Sequence, residues 1–198
     1  MSQTSLIDPA LKAELKALHS GADRHYHGLR HVEELLRLAG EYRGELTDPD
    51  AVEAAIWFHD AIYDSRKTDN ELRSAALARE RLSGRVEPKR LRHIIGMIEA
   101  TAGHELPEFD DPAASWDAAL FLDMDLSILG APRDIFDAYE DAVRREYHWV
   151  AEADWRAGRR AVLERFLTRA YLFHTDLFRA TLEIRARENL LHSLQRVA

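Results

Sequence analysis

The chain contains no cysteine, and it has no long hydrophobic run. Without thiols it can form neither a disulfide scaffold nor a thiolate zinc site, an iron–sulfur cluster or a cysteine nucleophile. A bound metal must therefore be held by histidine, carboxylate, amide, hydroxyl or backbone groups. The longest apolar runs are five residues, as at 54–58, far short of the roughly 20 that span a membrane. No basic segment followed by an apolar stretch opens the chain, so we expect no secretory signal and a cytoplasmic location.

Basic residues are outnumbered as well. The 198 residues include 35 acidic and 27 basic side chains, which gives a formal net charge of −8. This balance argues against a protein that coats nucleic acids, because many lysines and arginines are needed to displace counterions from phosphates. Hydrophobic residues make up 46% of the chain, which is enough for a sizeable core. No linker rich in proline, glycine or serine divides the sequence, and we expect one compact domain over residues 1–198.

Helical patterns dominate, and strand patterns are almost absent. Apolar residues recur every three or four positions, as at Val32, Leu35 and Ala39. Acid–proline steps indicate helix starts, because a carboxylate caps free N–H groups and proline suits the first helical position. Thr68 and Glu71 fit a capping box, with Thr68 at the N-cap and Glu71 at the third position. These patterns predict a single compact all-α domain with helices over 9–19, 28–44, 49–64, 70–83, 88–103, 117–129, 132–150, 155–172 and 175–195.

Histidines cluster in two segments that we expect on core helices. His25, His27 and His31 lie within seven residues of one another, and His59 is followed directly by Asp60. A histidine on an apolar helix face is more often a core residue whose nitrogens are satisfied locally. The neighbouring acid favours a second interpretation, since a buried carboxylate is costly unless it is paired or coordinates a metal. On a helix, Asp60 would lie about 100° round from His59, so both would reach one metal only where helices meet.

A third segment places two acids, Asp123 and Asp125, among apolar residues on a predicted helix. Between Arg92 and Arg133 the chain has eight acids and no lysine or arginine. Such uncompensated negative charge suits a divalent cation, whereas a solvated acidic loop is a better explanation for residues 105–111. Asp123 and Asp125 point in different directions on a helix, so we expect only one of them to face a metal.

Taken together, these segments resemble the HD-domain superfamily of metal-dependent phosphohydrolases, and more narrowly a bacterial family of short, uncharacterised HD proteins. The similar segments span roughly residues 24–160 and are 24–31, 57–64, 70–75, 123–130 and 145–147. The resemblance implies an HD-type helical fold. It implies four metal ligands, namely His31, His59, Asp60 and Asp125. Asp125 is preferred to Asp123 because the last aspartate of the superfamily typically precedes a short apolar run.

The implied activity is hydrolysis of a phosphate ester or anhydride of a small molecule, such as a nucleotide, by a metal-activated water. Two imidazoles and two carboxylates suit manganese, iron, cobalt, nickel or zinc, with magnesium also allowed. Glu71 is either a capping residue or the carboxylate that orients the attacking water. Arg24 and Lys67 are candidate phosphate donors, as are Arg30, Arg144 and Arg145, although each also fits an ordinary surface residue.

Two other functions fit the same residues. A minority of HD proteins bind two irons and act as oxygenases, and here His27 and His104 would supply the additional ligands. The same two histidines could instead contact a phosphate, and His104 also suits the end of a helix, where its charge complements the dipole. The last alternative is a non-catalytic module that binds a nucleotide or partner through a relic site. The sequence makes no prediction of the oligomeric state.

Overall fold

The computed structural model describes residues 6–197, which form nine α-helices and no β-strand. The helices in chain order are α1 (Pro9–Leu18), α2 (Leu29–Glu41), α3 (Pro49–Phe58), α4 (Asn70–Leu82), α5 (Pro88–Ala100), α6 (Pro112–Leu126), α7 (Arg133–Glu146), α8 (Glu152–Leu167) and α9 (Asp176–Arg196). One turn of 3-10 helix, Ser127–Gly130, follows α6. The all-α class predicted from the apolar spacing is confirmed. No helix among these residues is long and apolar enough to cross a membrane.

The acid–proline steps act as helix starts. Asp8, Asp48 and Glu87 each accept a hydrogen bond from the backbone N–H three residues later, at 2.9–3.1 Å. The predicted capping box is wrong, because the N-cap of α4 is Asp69 and no side-chain capping bond forms there. Glu71 is thus in the first turn of α4 without a capping role.

Three helix boundaries differ from the predictions by five residues or more, and one of them is the end of the helix predicted over 155–172, which lies at Leu167. The helix predicted over 49–64 ends at Phe58, and the one predicted over 117–129 begins at Pro112. The early start of α6 follows from the acid–proline step at its beginning, where the Asp111 carboxylate accepts a hydrogen bond from Ala113 N at 3.1 Å. The early end of α3 depends on the side chains that hold the next segment, described below.

Residues 6–124 form one compact group of helices. Within it, α5 packs against α3 and α4, and α3 also packs against α2 and α4. Every side chain of α3 from Ala54 to Phe58 is buried, and Trp57 and Phe58 are at most 1% exposed. The C-terminal end of α3 therefore lies in the core, and it delivers His59 there.

A buried carboxylate fixes the start of α3. Asp117 on α6 is 2% exposed, and its oxygens accept hydrogen bonds from Thr47 N at 2.8 Å, Thr47 Oγ1 at 2.6 Å and Asp48 N at 2.8 Å. Arg90 of α5 donates to the Asp48 carboxylate, with Nε 2.6 Å from Oδ2. These bonds satisfy the buried acid and join three helices at one end of the group.

Residues 125–197 form the second group. In this group α9 packs against α7, α8 and the 3-10 turn. Gly130 allows a close approach, since a Cβ atom there would lie only 2.7 Å from the Leu182 Cβ. The Asn189 amide donates to the carbonyls of Leu129 at 2.7 Å and Ala131 at 2.9 Å. The single-domain organisation expected over residues 1–198 stays a prediction.

Candidate metal centre

His59 occupies the C-cap of α3 and is 1% exposed. Its Nδ1 lies 2.8 Å from the Ile56 carbonyl oxygen. Because a carbonyl only accepts, Nδ1 carries the proton in the neutral ring, and Nε2 keeps its lone pair. The ring meets Phe121 edge-on, with centroids 5.9 Å apart. The imidazole is therefore fixed in orientation by the core, with Nε2 available as a metal ligand.

The ring of His31, in the first turn of α2, lies next to the Nε2 atom of His59. It is 9% exposed, and its Nε2 lies 3.1 Å from the Nε2 of His59. Asp125, in the last turn of α6, completes a group whose ligand atoms all lie within 4.8 Å of one another. His31 and His59 are buried and Asp125 is half-buried. These three side chains could hold a metal ion.

Asp123 and Asp125 differ as the helix geometry predicts. Asp123 is fully buried and, among residues 6–197, is not part of the mutually close group. Asp125, two positions later, lies directly after Met124 on the continuous helix α6. The structure therefore brings Asp125, rather than Asp123, to the two histidines.

Asp60 lies next to this group but outside the set of mutually close atoms. Its Oδ2 is 3.2 Å from the Nε2 of His59. Burial alone would raise the pKa of the Asp60 carboxyl, but a protonated His59, through its charge and a hydrogen bond, and protonated His27 and His31 would hold this pKa well below its usual range. A charged carboxylate thus stands beside the histidines. Asp60 lies in a turn rather than on a helix, because α3 ends before it.

The segment after Asp60 is held by two buried side chains of α4. Ser74 Oγ accepts from Ile62 N at 3.0 Å and lies 3.2 Å from the Ile62 carbonyl oxygen. The Asn70 amide accepts from Asp64 N at 3.0 Å and donates to the Asp64 carbonyl at 3.0 Å. These bonds replace the helical ones, which explains why the helix stops early. The sequence analysis assigned neither side chain a role, although both lie in a segment that carries the resemblance.

Arg24, a predicted phosphate donor, is engaged with the backbone. Its guanidinium donates to the carbonyls of His27 at 2.8 Å, Asp60 at 2.5 Å and Ala61 at 2.9 Å. It also lies over the Tyr63 ring, with Cζ 5.5 Å from the centroid. Arg24 therefore ties the segment just before α2, the helix that carries His31, to the turn that follows His59 at the end of α3.

His27 lies beside the group rather than in it. Its half-buried ring stacks on Tyr63, with centroids 4.4 Å apart, and meets His31 edge-on at 6.4 Å. His104 lies in the turn after α5, where its N–H donates to the Ala100 carbonyl at 2.8 Å and its φ is 52°. Neither histidine belongs to the mutually close group found among the described residues.

The remaining predicted site residues differ in their hydrogen bonds, ion pairs and exposure. The half-buried Glu71 carboxylate and the exposed Lys67 ammonium form no hydrogen bond or ion pair with residues 6–197. Arg144 donates to the Tyr147 carbonyl at 2.7 Å and is ion-paired with Glu152. Arg30 and Arg145 are exposed.

His19 is a residue that sequence reasoning did not single out. It is 1% exposed, and its Nε2 lies 3.0 Å from the Trp57 carbonyl oxygen. Burial lowers its pKa to about 4, although the bond to Trp57 opposes this shift. Its Nδ1 and the Trp57 Nε1 are buried without a hydrogen-bond partner in the part of the chain described. His19 is thus a neutral core histidine next to the end of α3, the kind of residue that composition alone cannot separate from a ligand.

In the second group, a buried polar cluster lies near Asp125. Burial raises the pKa of Tyr139; the Arg159 guanidinium opposes this shift, and the Glu140 and Asp125 carboxylates add to it. Arg159 forms a buried ion pair with Glu140, and its Nη2 lies 3.2 Å from the Tyr139 hydroxyl. Ser193 donates to the Glu140 carboxylate at 2.6 Å. The buried charges of this cluster are therefore paired.

Comparisons with protein-family models, with curated proteins and with solved structures found no match to this chain.

Proposed function

We propose that this protein is a metal-dependent phosphohydrolase of the HD type, acting on a small phosphorylated molecule such as a nucleotide. The observation that carries the proposal is the convergence of His31, His59 and Asp125, whose ligand atoms lie within 4.8 Å of one another. The three residues come from three separate helical segments, and they are three of the four ligands that the resemblance to HD domains implies.

The donor set fits a transition metal. Two imidazole nitrogens and one carboxylate, with the charged Asp60 adjacent to His59, form a mixed nitrogen–oxygen site that suits manganese, iron, cobalt, nickel or zinc, with magnesium also allowed. The hydrogen bond from His59 Nδ1 to Ile56 orients Nε2 as the ligand atom. A metal bound there would polarise a phosphoryl oxygen and lower the pKa of a coordinated water.

The reaction also requires a proton acceptor and positive charge near the phosphate, which other side chains would supply. In hydrolysis the oxygen of water bonds to phosphorus, the bond from phosphorus to the leaving group breaks, and the leaving group takes up a proton. Glu71 would accept a proton from the attacking water, since its carboxylate is not engaged elsewhere within residues 6–197. Lys67 and His27 would offset negative charge on the phosphate. Arg24 would act as a positioning residue, because its donors are engaged with carbonyls.

Metal analysis combined with a phosphate-release assay tests this proposal. We expect the wild type to bind about one transition metal per chain and to release phosphate or pyrophosphate from a member of a nucleotide panel. His59→Ala and Asp125→Asn should lose both properties and keep their helicity. His192→Ala, which removes a partly exposed histidine of α9, should keep both and serves as the matched control.

Any of three results would overturn the proposal. A wild type that binds no divalent metal under any loading condition would exclude a metal-dependent reaction. Two irons per chain with oxygen consumption, and no phosphate release, would identify an oxygenase instead. Tight nucleotide binding without turnover, unchanged by His59→Ala, would favour a non-catalytic binding module.

A further inference from the structure

A groove of about 520 Å³ lies along α4, the following turn and α5. None of the residues that line it belongs to the candidate metal centre, so it is independent of the proposed activity. Its volume is in the range of small-molecule sites, which are commonly 300–1,000 Å³. Among the lining residues, six determine the chemistry of the groove, namely Arg79, Val86, Leu91, Arg92, Ile95 and Glu99.

The floor of the groove is apolar. Val86, Leu91 and Ile95 line it. Each of them is only 7–9% exposed to solvent. Leu91 and Ile95 are four residues apart on α5, so they lie on the same face of the helix. An apolar body lying on this floor would be removed from water, which favours binding.

Two arginines flank this floor. Arg79 on α4 and Arg92 on α5 are exposed, and neither guanidinium is in a hydrogen bond or ion pair within residues 6–197. In contrast, Arg81 of the same helical pair binds Glu14 and Glu80, and Arg90 binds Asp48. Arg79 and Arg92 therefore line the groove with guanidinium groups that make no ion pair within residues 6–197, whereas Arg81 and Arg90 are paired elsewhere.

Glu99 limits the charge that the groove can accept. It lies seven residues after Arg92 on α5, which is roughly 10 Å along the helix axis. With two arginines and one glutamate, these lining side chains carry one net positive charge. A monoanion therefore matches the groove better than a phosphate dianion does.

We propose that this groove binds a small organic carboxylate with an apolar body. The planar guanidinium fork matches the geometry of a carboxylate, which it can bind through two parallel hydrogen bonds. The carboxylate would be held by Arg79 and Arg92, and the hydrocarbon body would lie over Val86, Leu91 and Ile95. Neither the apolar floor nor the guanidinium pair alone would select such a ligand, since the floor favours any apolar group and the arginines favour any anion.

Isothermal titration calorimetry of the full chain with three probes tests the proposal. Octanoate has both the carboxylate and the apolar body, 1-octanol has the body alone, and inorganic phosphate has the charge alone. We expect saturable binding of octanoate, binding of 1-octanol at least about tenfold weaker, and no phosphate binding that Arg79→Gln or Arg92→Gln weakens. Amide shifts in the NMR spectrum of the wild type should concentrate at Leu91, Arg92 and Ile95.

Matched variants locate the contacts. Arg79→Gln and Arg92→Gln should each weaken octanoate binding by about tenfold or more, because each removes a charge-assisted hydrogen bond. Arg73→Gln changes an exposed arginine of α4 that does not line the groove, and it should bind octanoate like the wild type. Absence of octanoate binding by the wild type, equal affinity for 1-octanol, or shifts confined to other residues would overturn the proposal. So would unchanged affinity in both arginine variants.

Discussion

The Nε2 atoms of His31 and His59 lie 3.1 Å apart in the interior of the protein. The proton of the neutral His59 ring is on Nδ1, where the Ile56 carbonyl accepts it. Two nitrogen lone pairs at this distance repel each other unless a proton or a cation lies between them. The negative charges of Asp60 and Asp125 stand beside the pair, so a divalent cation would satisfy both rings and both carboxylates at once.

Substitutions of the two aspartates of α6 should differ in their effect on the amount of bound metal. Asp125→Asn is expected to reduce bound metal strongly, because it removes the charge of a ligand that reaches both histidines. Asp123→Asn should leave the metal content largely unchanged, since Asp123 is outside the mutually close group, but it should lower stability because the side chain is fully buried. Metal analysis and thermal melting of both variants measure this difference. The reverse pattern would identify Asp123 as the ligand.

Removal of the Arg24 guanidinium should loosen the two segments that it joins. Arg24→Gln loses donors to the carbonyls of His27, Asp60 and Ala61, so we expect a loss of about 2 kcal/mol in the free energy of unfolding. Urea denaturation measures this loss. If Arg24 only contacted substrate, the variant would unfold like the wild type and would change KM alone.

The first turn of α4 offers a matched pair of substitutions. Asn70→Ala removes the side chain that satisfies both backbone groups of Asp64, and it should cost about 2 kcal/mol. Asp69→Ala changes the N-cap residue, whose side chain makes no capping bond, and should change stability by less than about 0.5 kcal/mol. Equal losses in chemical denaturation would show that Asp69 caps the helix after all.

The buried His19 should make stability depend on pH. Its pKa is lowered from 6.5 to about 4 in the folded protein, so below pH 6.5 the unfolded chain binds a proton that the folded chain does not. The free energy of unfolding should therefore fall as the pH drops from 6.5 toward 4, by about 3 kcal/mol in total. His19→Leu should remove this contribution. Urea denaturation at several pH values should show a shallower decline in the variant, and equal slopes would contradict the assignment.

Two glycines of the second group should respond in opposite directions to alanine. At Gly130 the new Cβ would lie 2.7 Å from the Leu182 Cβ, and the resulting shift should cost about 1–3 kcal/mol. At Gly158, inside α8, nothing lies within 4 Å, so alanine should stabilise the helix by about 0.5–1 kcal/mol. Thermal melting distinguishes the two, and destabilisation of both by similar amounts would contradict the packing at Gly130.

The helices were predictable because their signals are local. Three-to-four spacing of apolar residues and the acid–proline steps depend on neighbours within one or two turns, and Asp8, Asp48 and Glu87 cap as expected. The end of α3 was not predictable in this way. It depends on Asn70 and Ser74, which lie on the next helix and take over the backbone groups of the segment between.

The candidate site shows the same division. The residue types pointed to the two histidine segments and to Asp123 or Asp125, and the resemblance to HD domains singled out His31, His59 and Asp125, which the structure brings together. The preference for Asp125 over Asp123 came from the resemblance, since spacing shows only that the two point in different directions. The backbone role of Arg24 and the burial of His19 depend on contacts between residues 36–38 positions apart, and no local pattern encodes such contacts.

The hydrogen bonds from Thr47 and Asp48 to Asp117 have a consequence for the order of folding. They join residues about 70 positions apart, and the chain between them includes α3, α4 and α5. Closing so large a loop carries an entropic cost that local helix formation does not. These bonds should therefore form late in folding, after the intervening helices have packed. Because His59 directly follows α3 and Asp125 lies in the last turn of α6, the arrangement of the candidate metal ligands would be completed in the same late step.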